Sequence, residues 1–314
     1  MNKLAFLPPL IAITVTACGG GSSGSPAEIE TGTDLPDTFK QSADISGVLS
    51  GMLAKVVGTP TKNFVDRYSS LQKAESTCSG GGTIDVTEDE TATFNTVRIV
   101  FSQCIEDAGE GLERLIEGVF TLADQDAEGT NKVLTFGEGN TPLSLNIRPT
   151  SDSSATESYV ISVSGSNDRT LNEATGQFRS VLSIAGVFTD NVTGQSYSYG
   201  SEDFALNIQD GETTDSINID GRFGALAGSA VETCEAVDAA IRTLVPLSAS
   251  RTTGDVTSGQ LELLVDQSTL TSAFSPSSYD VESEGQSETY DRTAVSQRCD
   301  AVSEALARLI IDFQ

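Results

Sequence analysis

Short segments of alternating apolar and polar residues follow one another from Cys78 to Asp266 and constrain the fold more than any other feature. Val, Ile, Thr and Phe alternate with Ser, Asn and Asp, which is typical of strands with one buried face. Turn residues such as Glu138-Gly139-Asn140 and Asp210-Gly211 separate the segments. No helix-length segment supplies the crossovers of a parallel sheet. The pattern therefore predicts a mainly β fold, an antiparallel meander that forms a curved sheet or half-barrel.

The predicted strands share this alternation and lie between turn residues. They cover residues 82–88, 91–102, 114–123, 132–136, 143–148, 159–164, 178–189, 196–200, 204–209, 216–222 and 260–266. The Ser/Glu-rich stretch 267–293 is expected to be an edge loop with one or two short strands.

A weak internal repeat accompanies the strands. The pattern aliphatic-x-Gly-x-Phe recurs around Gly118, Gly186 and Gly221. Glycine in the middle of a strand usually marks a bulge, a bend or the close approach of another chain. The spacing is close to a unit of about 34 residues, which predicts hairpins added side by side into one long curved sheet.

Two helices are predicted at the ends of this β region. Apolar residues at three-and-four spacing indicate an N-terminal helix over 42–57, with Ser42 or Asp44 as its cap, and a C-terminal helix over 299–312. A further helical turn is predicted over 63–73. Residues 234–247 fit either a helix or a strand, because their apolar residues satisfy both periodicities.

The cysteines predict disulfides. If Cys18 is modified as described below, an even number remains, and an even number in an exported protein is typical of disulfide bonds. Three pairings are open. We favour Cys78–Cys104 and Cys234–Cys299, because each then braces one end of the chain. No CxxC motif and no histidine supports a metal site on these sulfur atoms.

The N-terminus is typical of an exported protein. Lys3 precedes an apolar run over residues 4–15, which has the length of a signal-peptide core and is too short to span a bilayer. The run ends in Val15-Thr16-Ala17-Cys18, which resembles the lipobox of bacterial lipoproteins. That resemblance implies cleavage before Cys18, a diacylglycerol thioether on its sulfur atom and a fatty acyl group such as palmitate on its amino group.

The same resemblance gives the expected domain organisation and cellular location. Residues 1–17 are predicted to be a lipoprotein signal peptide, 18–33 a flexible Gly/Ser linker, and 34–314 a single β-rich domain. Gly19, rather than the Asp of inner-membrane retention, follows the cysteine. The expected location is therefore the outer membrane, lipid-anchored, with the domain facing the periplasm or the cell surface.

The β region adds a second resemblance. Residues 78–84, 99–104 and 116–118 make the chain similar to proteobacterial outer-membrane lipoproteins of uncharacterised function. This class implies an envelope location and no particular activity.

Composition excludes several functions. The chain has 18 Lys+Arg against 45 Asp+Glu, a net charge of −27, and no His or Trp. The charge argues against nucleic-acid binding, which needs clustered basic residues. Without histidine there can be no Ser-His-Asp triad, no Cys-His pair and no His-ligated zinc. Because close acidic pairs are expected by chance in so acidic a chain, they indicate a solvated surface rather than catalytic carboxylates.

One acidic segment resembles a metal loop. Asp124, Asp126 and Glu128 are spaced like the first half of a calcium loop, but Thr135 stands where the final carboxylate is required. An acidic turn between two strands is the better interpretation. We expect no catalytic residue, no metal ligand and no cofactor.

Two hypotheses about function remain. The first is a non-enzymatic envelope lipoprotein with a structural or partner-binding role, attached to the membrane through its lipid. The alternative is a carrier or binder of a hydrophobic small molecule in the periplasm. A carrier needs an open apolar concavity, whereas a scaffold would fill that concavity with its own helix 42–57. The strong periodicity of that helix favours the filled arrangement.

Overall fold

The computed structural model describes residues 37–57, 76–89, 92–151, 154–172, 174–227, 234, 237–265 and 267–312. These residues belong to one compact unit, which spans Leu35–Gln314. The predicted helix over 63–73 lies outside the described residues, as do the signal peptide and the linker.

Fifteen strands form one sheet within the described residues, and every pairing is antiparallel. The strands are β1 Ser76–Thr77, β2 Gly81–Glu88, β3 Thr96–Gly109, β4 Leu112–Asp124, β5 Asn131–Phe136, β6 Leu143–Pro149, β7 Tyr159–Asn172, β8 Gln177–Asp190, β9 Ser196–Gln209, β10 Thr214–Ala227, β11 Val237–Ser250, β12 Val256–Val265, β13 Ser268–Phe274, β14 Ser278–Ser283 and β15 Gln286–Asp291. The predicted antiparallel meander is confirmed.

Strands β5 and β6 share one position in the sheet, between β4 and β7. Strand β6 pairs with the first half of β4 and the start of β7, while β5 pairs with the second halves of both. Gly118 lies at the junction with a φ of +112°, and a Cβ there would be 2.7 Å from the carbonyl oxygen of Pro142. Only glycine therefore fits where the β5–β6 connection passes over β4.

The long strands are irregular near their middles. The register shifts between Leu182 and Ala185 in the β8–β9 pair, and between Asp220 and Arg222 in the β9–β10 pair. Gly221 has a φ of +115°, and a Cβ on it would lie 2.2 Å from the carbonyl oxygen of Asp203. Such bulges bend the strands that carry them, and shifts also occur in the β3–β4, β10–β11 and β11–β12 pairs. This is the physical basis of a curved sheet.

Glycine is required at the three positions of the sequence repeat for different structural reasons. Gly118 and Gly221 adopt positive φ, whereas Gly186 is needed because a Cβ would lie 2.1 Å from the Tyr199 hydroxyl. Gly186 and Gly221 stand one hairpin apart, on β8 and β10, as the repeat predicts. Gly118 is three sheet positions from Gly186, because β5 and β6 share a position. The 68 residues from Gly118 to Gly186, about two repeat units, therefore do not correspond to two complete hairpins, and the repeat prediction is wrong there.

Within the part of the chain that the structure describes, two helices accompany the sheet, α1 Asp37–Val57 and α2 Arg292–Asp312. They pack against each other, and α1 also contacts β11–β14 while α2 contacts β9, β14 and β15. Their apolar faces and the inner-facing residues of the strands form one buried cluster. Neither described helix is long and apolar enough to cross a lipid bilayer.

Both helices start earlier than predicted. Helix α1 begins at Asp37 rather than near residue 42, and α2 begins at Arg292 rather than at 299. The Asp291 carboxylate accepts a hydrogen bond from the Ala294 amide at 2.8 Å, which caps the start of α2. Val295 and Cys299 extend the apolar face of α2 into its first turns, where the sequence looked polar.

Several strand predictions also need correction. Residues 267–293 form three strands rather than a loop with one or two, because Leu270, Phe274, Tyr279 and Val281 alternate inward between exposed Ser, Asp and Glu. The predicted strands 196–200 and 204–209 are one continuous strand, β9. Strand β3 begins at Thr96 rather than at residue 91, and β7 runs to Asn172. The ambiguous stretch 234–247 is resolved as β11 from Val237 onward.

Candidate functional site

The predicted anchor site precedes the described residues. Cys18 and the lipobox lie outside them, so lipidation remains a prediction from the sequence. The other predicted site residues, the four remaining cysteines, are all described.

Both favoured disulfides are present. Cys78, in the turn between β1 and β2, bonds to Cys104 on β3, and Cys234, before β11, bonds to Cys299 on α2. All four residues are buried. The pairing predicted from the two ends of the chain is therefore confirmed, and these four sulfur atoms are not free thiols.

One buried group has metal-like spacing. The side chains of Asp44, Cys234 and Cys299 bring their ligand atoms within 4.8 Å of one another. Both sulfur atoms are bonded to each other, however, and the Asp44 carboxylate accepts a hydrogen bond from Arg298 Nε at 2.6 Å. A guanidinium already balances the carboxylate charge, so this group is a structural ion pair beside a disulfide.

The acidic segment that resembles a calcium loop, residues 124–128, lies in a turn that is stabilised by its own hydrogen bonds. Asp126 accepts hydrogen bonds from the Thr130 hydroxyl at 2.6 Å, the Thr130 amide at 2.8 Å and the Asn131 amide at 3.0 Å. These bonds, led by the Thr130 hydroxyl, hold the pKa of Asp126 below its ordinary value. Asp124 pairs with Lys132 Nζ at 2.6 Å. The Asp124 and Asp126 carboxylates therefore already bind partners within the β4–β5 hairpin.

The inner face of the sheet is where a carrier would hold its ligand. Its inward-facing side chains are buried in one cluster, and the two helices cover it at β9 and β11–β15. Polar contacts fix α1 there: Ser46 Oγ lies 2.7 Å from Ser272 Oγ on β13, and Ser50 Oγ lies 2.6 Å from Tyr279 Oη on β14. These hydroxyls satisfy one another in the core, which removes the cost of burying them unpaired.

A small apolar cavity lies between the helices and strands β8–β10. Met52 of α1, Leu306 of α2 and Phe204 of β9 line it together with Leu182 and Phe223. Its volume is about 20 Å³, which is room for roughly one or two waters. Burial raises the pKa of Tyr199 at its edge far above the ordinary range, so that hydroxyl stays neutral.

Ion pairs hold the two helices together and to the sheet. Lys55 of α1 lies 2.6 Å from Glu304 and 3.0 Å from Asp300 of α2. Arg308 pairs with Glu304 at 2.7 Å and with Glu157 at 2.7 Å. Burial acts to raise the pKa of Glu304, but the hydrogen bonds from Lys55 and Arg308 outweigh it, so the pKa lies below the ordinary value of 4.5.

The outer face carries a feature that the sequence analysis missed. Leu244, Val245 and Pro246 on β11 are consecutive, apolar and exposed, with Leu244 and Val245 at 43% and 49% of their full accessibility. The β11–β12 register shifts on both sides of Val245. The sequence feature that could have predicted this exposed run is Leu-Val-Pro inside an alternating segment, because proline in a strand marks an edge or a bulge.

Comparisons of the chain with protein-family models, with curated proteins and with solved structures find no match.

Proposed function

We propose that this protein is a lipid-anchored envelope lipoprotein of the outer membrane with a structural or partner-binding role. The anchor rests on Val15-Thr16-Ala17-Cys18 and the Gly/Ser tract behind it. One acyl chain binds a membrane only marginally, whereas the several chains of a lipoprotein cysteine hold it stably. Two buried disulfides are consistent with an oxidising compartment.

The observation that carries the role is the filled inner face. Its inward-facing side chains are buried in one cluster, and helices α1 and α2 cover it at β9 and β11–β15. Buried hydrogen bonds from Ser46 and Ser50 join α1 to β13 and β14. A chain that fills its own concavity leaves its outer face and its loops for contact with other molecules. This supports a scaffold or partner-binding protein.

The alternative is a carrier of a hydrophobic small molecule. An acyl chain that entered the cavity beside Met52 and Leu306, the cavity seen among the described residues, would have to displace α1 or α2, because this cavity holds only about 20 Å³. Displacing α2 would also strain its covalent link from Cys299 to Cys234. These features weigh against the carrier.

Mass spectrometry of the protein extracted in detergent from a Gram-negative envelope tests the proposal. We expect the N-terminal peptide to begin at Cys18 and to carry a diacylglyceryl group and a fatty acyl group. The Cys18→Ser variant should show an unmodified peptide that retains residues 1–17. An unmodified Cys18 in the wild-type protein would overturn the anchor.

A native mass measurement of the same sample addresses the role. We expect the mass of the lipidated polypeptide chain without a further small molecule. A reproducible extra mass that dissociates as a lipid would favour the carrier instead.

A further inference from the structure

Strand β15 forms one edge of the sheet. Within the described residues it pairs with β14 alone, and its six residues follow β14 without a shift in register. An edge strand presents unpaired backbone groups to any extended chain, and proteins usually protect such an edge with lysine, proline, a bulge or a very short strand. Strand β1, at the other end of the sheet, has only two residues, whereas β15 has none of these protections.

The hydrogen-bond pattern shows which backbone groups of β15 face away from β14. Residues of an antiparallel strand direct their N–H and C=O groups alternately to one side and to the other. The Arg292 amide donates to the Ser277 carbonyl at 3.0 Å, which continues the β14–β15 register. The even-numbered residues of β15 therefore face β14. The odd-numbered Ser287 and Thr289, both exposed, direct two N–H and two C=O groups away from the sheet.

The outer side of this edge is acidic. Asp280 and Glu282 of β14 lie directly opposite Thr289 and Ser287 of β15, and all four residues are exposed. Asp291, at the end of β15, is exposed on the same face. Strands β13–β15 with their connecting turns contain five acidic residues and no Lys or Arg. A chain that added to this edge would therefore be selected for positive charge on its outer side.

The basic residues around these strands already have carboxylate partners. These pairs are Arg292 with Asp255 on the X-side turn after β11, Arg242 with Glu262 on β11 and β12, and Arg298 and Lys40 with the buried Asp44. Among the described residues, no Lys or Arg pairs with Asp280, Glu282 or Asp291. The negative charge of the edge is thus uncompensated within this part of the chain.

The inner side of the edge has a different character. Tyr290 packs against the buried core, and its hydroxyl donates to the Glu288 carboxylate at 2.6 Å. The aromatic ring is an apolar surface beside the edge. An added strand would therefore alternate basic residues on its outer side with apolar residues on its inner side.

We propose that β15 binds an extended basic segment of a partner protein as an additional antiparallel strand. Backbone hydrogen bonds to Ser287 and Thr289 supply affinity, and alternate Lys or Arg side chains facing the acidic outer side supply specificity. A second copy of β15 would instead bring the carboxylates of both copies together. The inference rests on the proposed partner-binding role and names the chemistry of the partner.

A synthetic peptide tests the edge on the full-length lipidated protein in a non-ionic detergent. The probe is a short fluorescent peptide of alternating Lys and Val, and one control has Glu in place of each Lys. If Lys lies on the outer side, opposite Ser287 and Thr289, the Lys amides face β15 and the Val amides face solvent. N-methylation of the Lys amides, or replacement of Lys by Glu, should weaken binding about tenfold, whereas N-methylation of the Val amides should not. Fluorescence anisotropy measures the binding.

A variant of the edge tests the same hydrogen bonds from the protein. Thr289→Pro removes an N–H group that faces away from β14, so the bonds between β14 and β15 remain. Thr289→Val is the matched control, because it loses the hydroxyl bond to Asp280 but keeps the amide. We expect about tenfold weaker peptide binding for Thr289→Pro and a change of less than about twofold for Thr289→Val. Circular dichroism of each variant establishes that the sheet is intact.

Charge removal tests the specificity. Asp280→Asn together with Glu282→Gln should weaken binding about fivefold at low salt and make it less dependent on salt. Glu202→Gln together with Glu212→Gln removes two exposed charges elsewhere and should change binding by less than about twofold.

The outcomes separate this inference from the proposed anchor. Equal binding of the Lys and Glu peptides, unchanged binding by Thr289→Pro, or no binding at about 1 mM peptide would overturn the basic partner. A wild-type dimer in native mass measurements that Thr289→Pro dissociates would overturn it in favour of a second copy. The mass of the N-terminal peptide at Cys18 does not depend on any of these readouts, so the anchor and the edge can fail separately.

Discussion

Two glycines determine how closely the helices approach. A Cβ on Gly47 would lie 2.5 Å from Val295 Cγ1, and a Cβ on Gly51 would lie 2.6 Å from Ser303 Oγ and 2.8 Å from Ser303 Cβ. A hydroxyl can rotate away, but the Ser303 Cβ moves only with the backbone of α2. The helix pair is therefore close because position 51 has no side chain.

We predict that Gly51→Ala destabilises the protein by a net loss of about 1–2 kcal/mol. Overpacking costs typically about 1–3 kcal/mol, and the better helix propensity of alanine returns at most about 1 kcal/mol. Denaturant unfolding followed by circular dichroism measures the change.

Gly200→Ala is the matched control, because among the described residues only the Ile184 carbonyl oxygen, at 4.0 Å, lies near a Cβ built there. It should leave the free energy of unfolding unchanged or raise it by up to about 1 kcal/mol, because alanine loses less conformational freedom on folding than glycine. Equal effects of the two variants would contradict the close-packing argument.

At the scale of elements, the ion pairs between α1 and α2 make stability depend on pH. The pKa of Glu304 is lower in the folded protein than its ordinary value of 4.5. A carboxyl with a depressed pKa contributes stability that is fully present above its unfolded pKa. That contribution is lost as the pH falls through the folded pKa.

We therefore expect the free energy of unfolding to fall between about pH 5 and about pH 3, and to fall less steeply in Glu304→Gln than in the wild type. Urea unfolding at several pH values measures the slope. Glu212→Gln, in the exposed β9–β10 turn, removes the same charge without a contact between the helices. If Glu212→Gln flattened the slope as much as Glu304→Gln, general charge rather than the helix pair would be the cause.

At the scale of the molecule, the chain combines local pairing with a few very long-range contacts. Neighbouring strands are mostly consecutive, but α1 at the start packs under β11–β14, and Ser46 and Ser272 are 226 residues apart. The core is complete only when the last strands and α2 have formed. The disulfide from Cys234 to Cys299 closes a 65-residue separation and ties α2 to the chain before β11.

Replacing Cys234 and Cys299 together with Ala should lower the free energy of unfolding by about 4 kcal/mol, the chain-entropy value for a loop of that size. The Cys78–Cys104 disulfide closes a 26-residue separation. Replacing both of its cysteines with Ala should lower the free energy of unfolding by about 3.5 kcal/mol. Guanidinium unfolding gives both values. A loss below about 1 kcal/mol for either pair would contradict this prediction. It would show that strain in the native state offsets the stability that the disulfide gains by closing its loop.

Local chemistry in the sequence was enough to predict the fold class, the two terminal helices and the disulfide pairs. Alternation, turn residues and three-and-four spacing are properties of neighbouring residues. The pairing of Cys78 with Cys104 and of Cys234 with Cys299 followed from their positions near the two ends of the β region. The interpretation of Asp124–Asp126 as a turn rather than a calcium loop followed from a missing ligand.

Only the tertiary structure decided the features that depend on distant neighbours. Residues 234–247 satisfy both periodicities, and pairing with β10 and β12 makes them a strand. The shared position of β5 and β6, the closeness of Gly51 to Ser303 and the outward turn of Leu244 arise where separate segments meet. The periodicity of one segment specifies which of its faces is buried, but which segment covers that face depends on side-chain volumes and hydrogen bonds supplied by residues far along the chain.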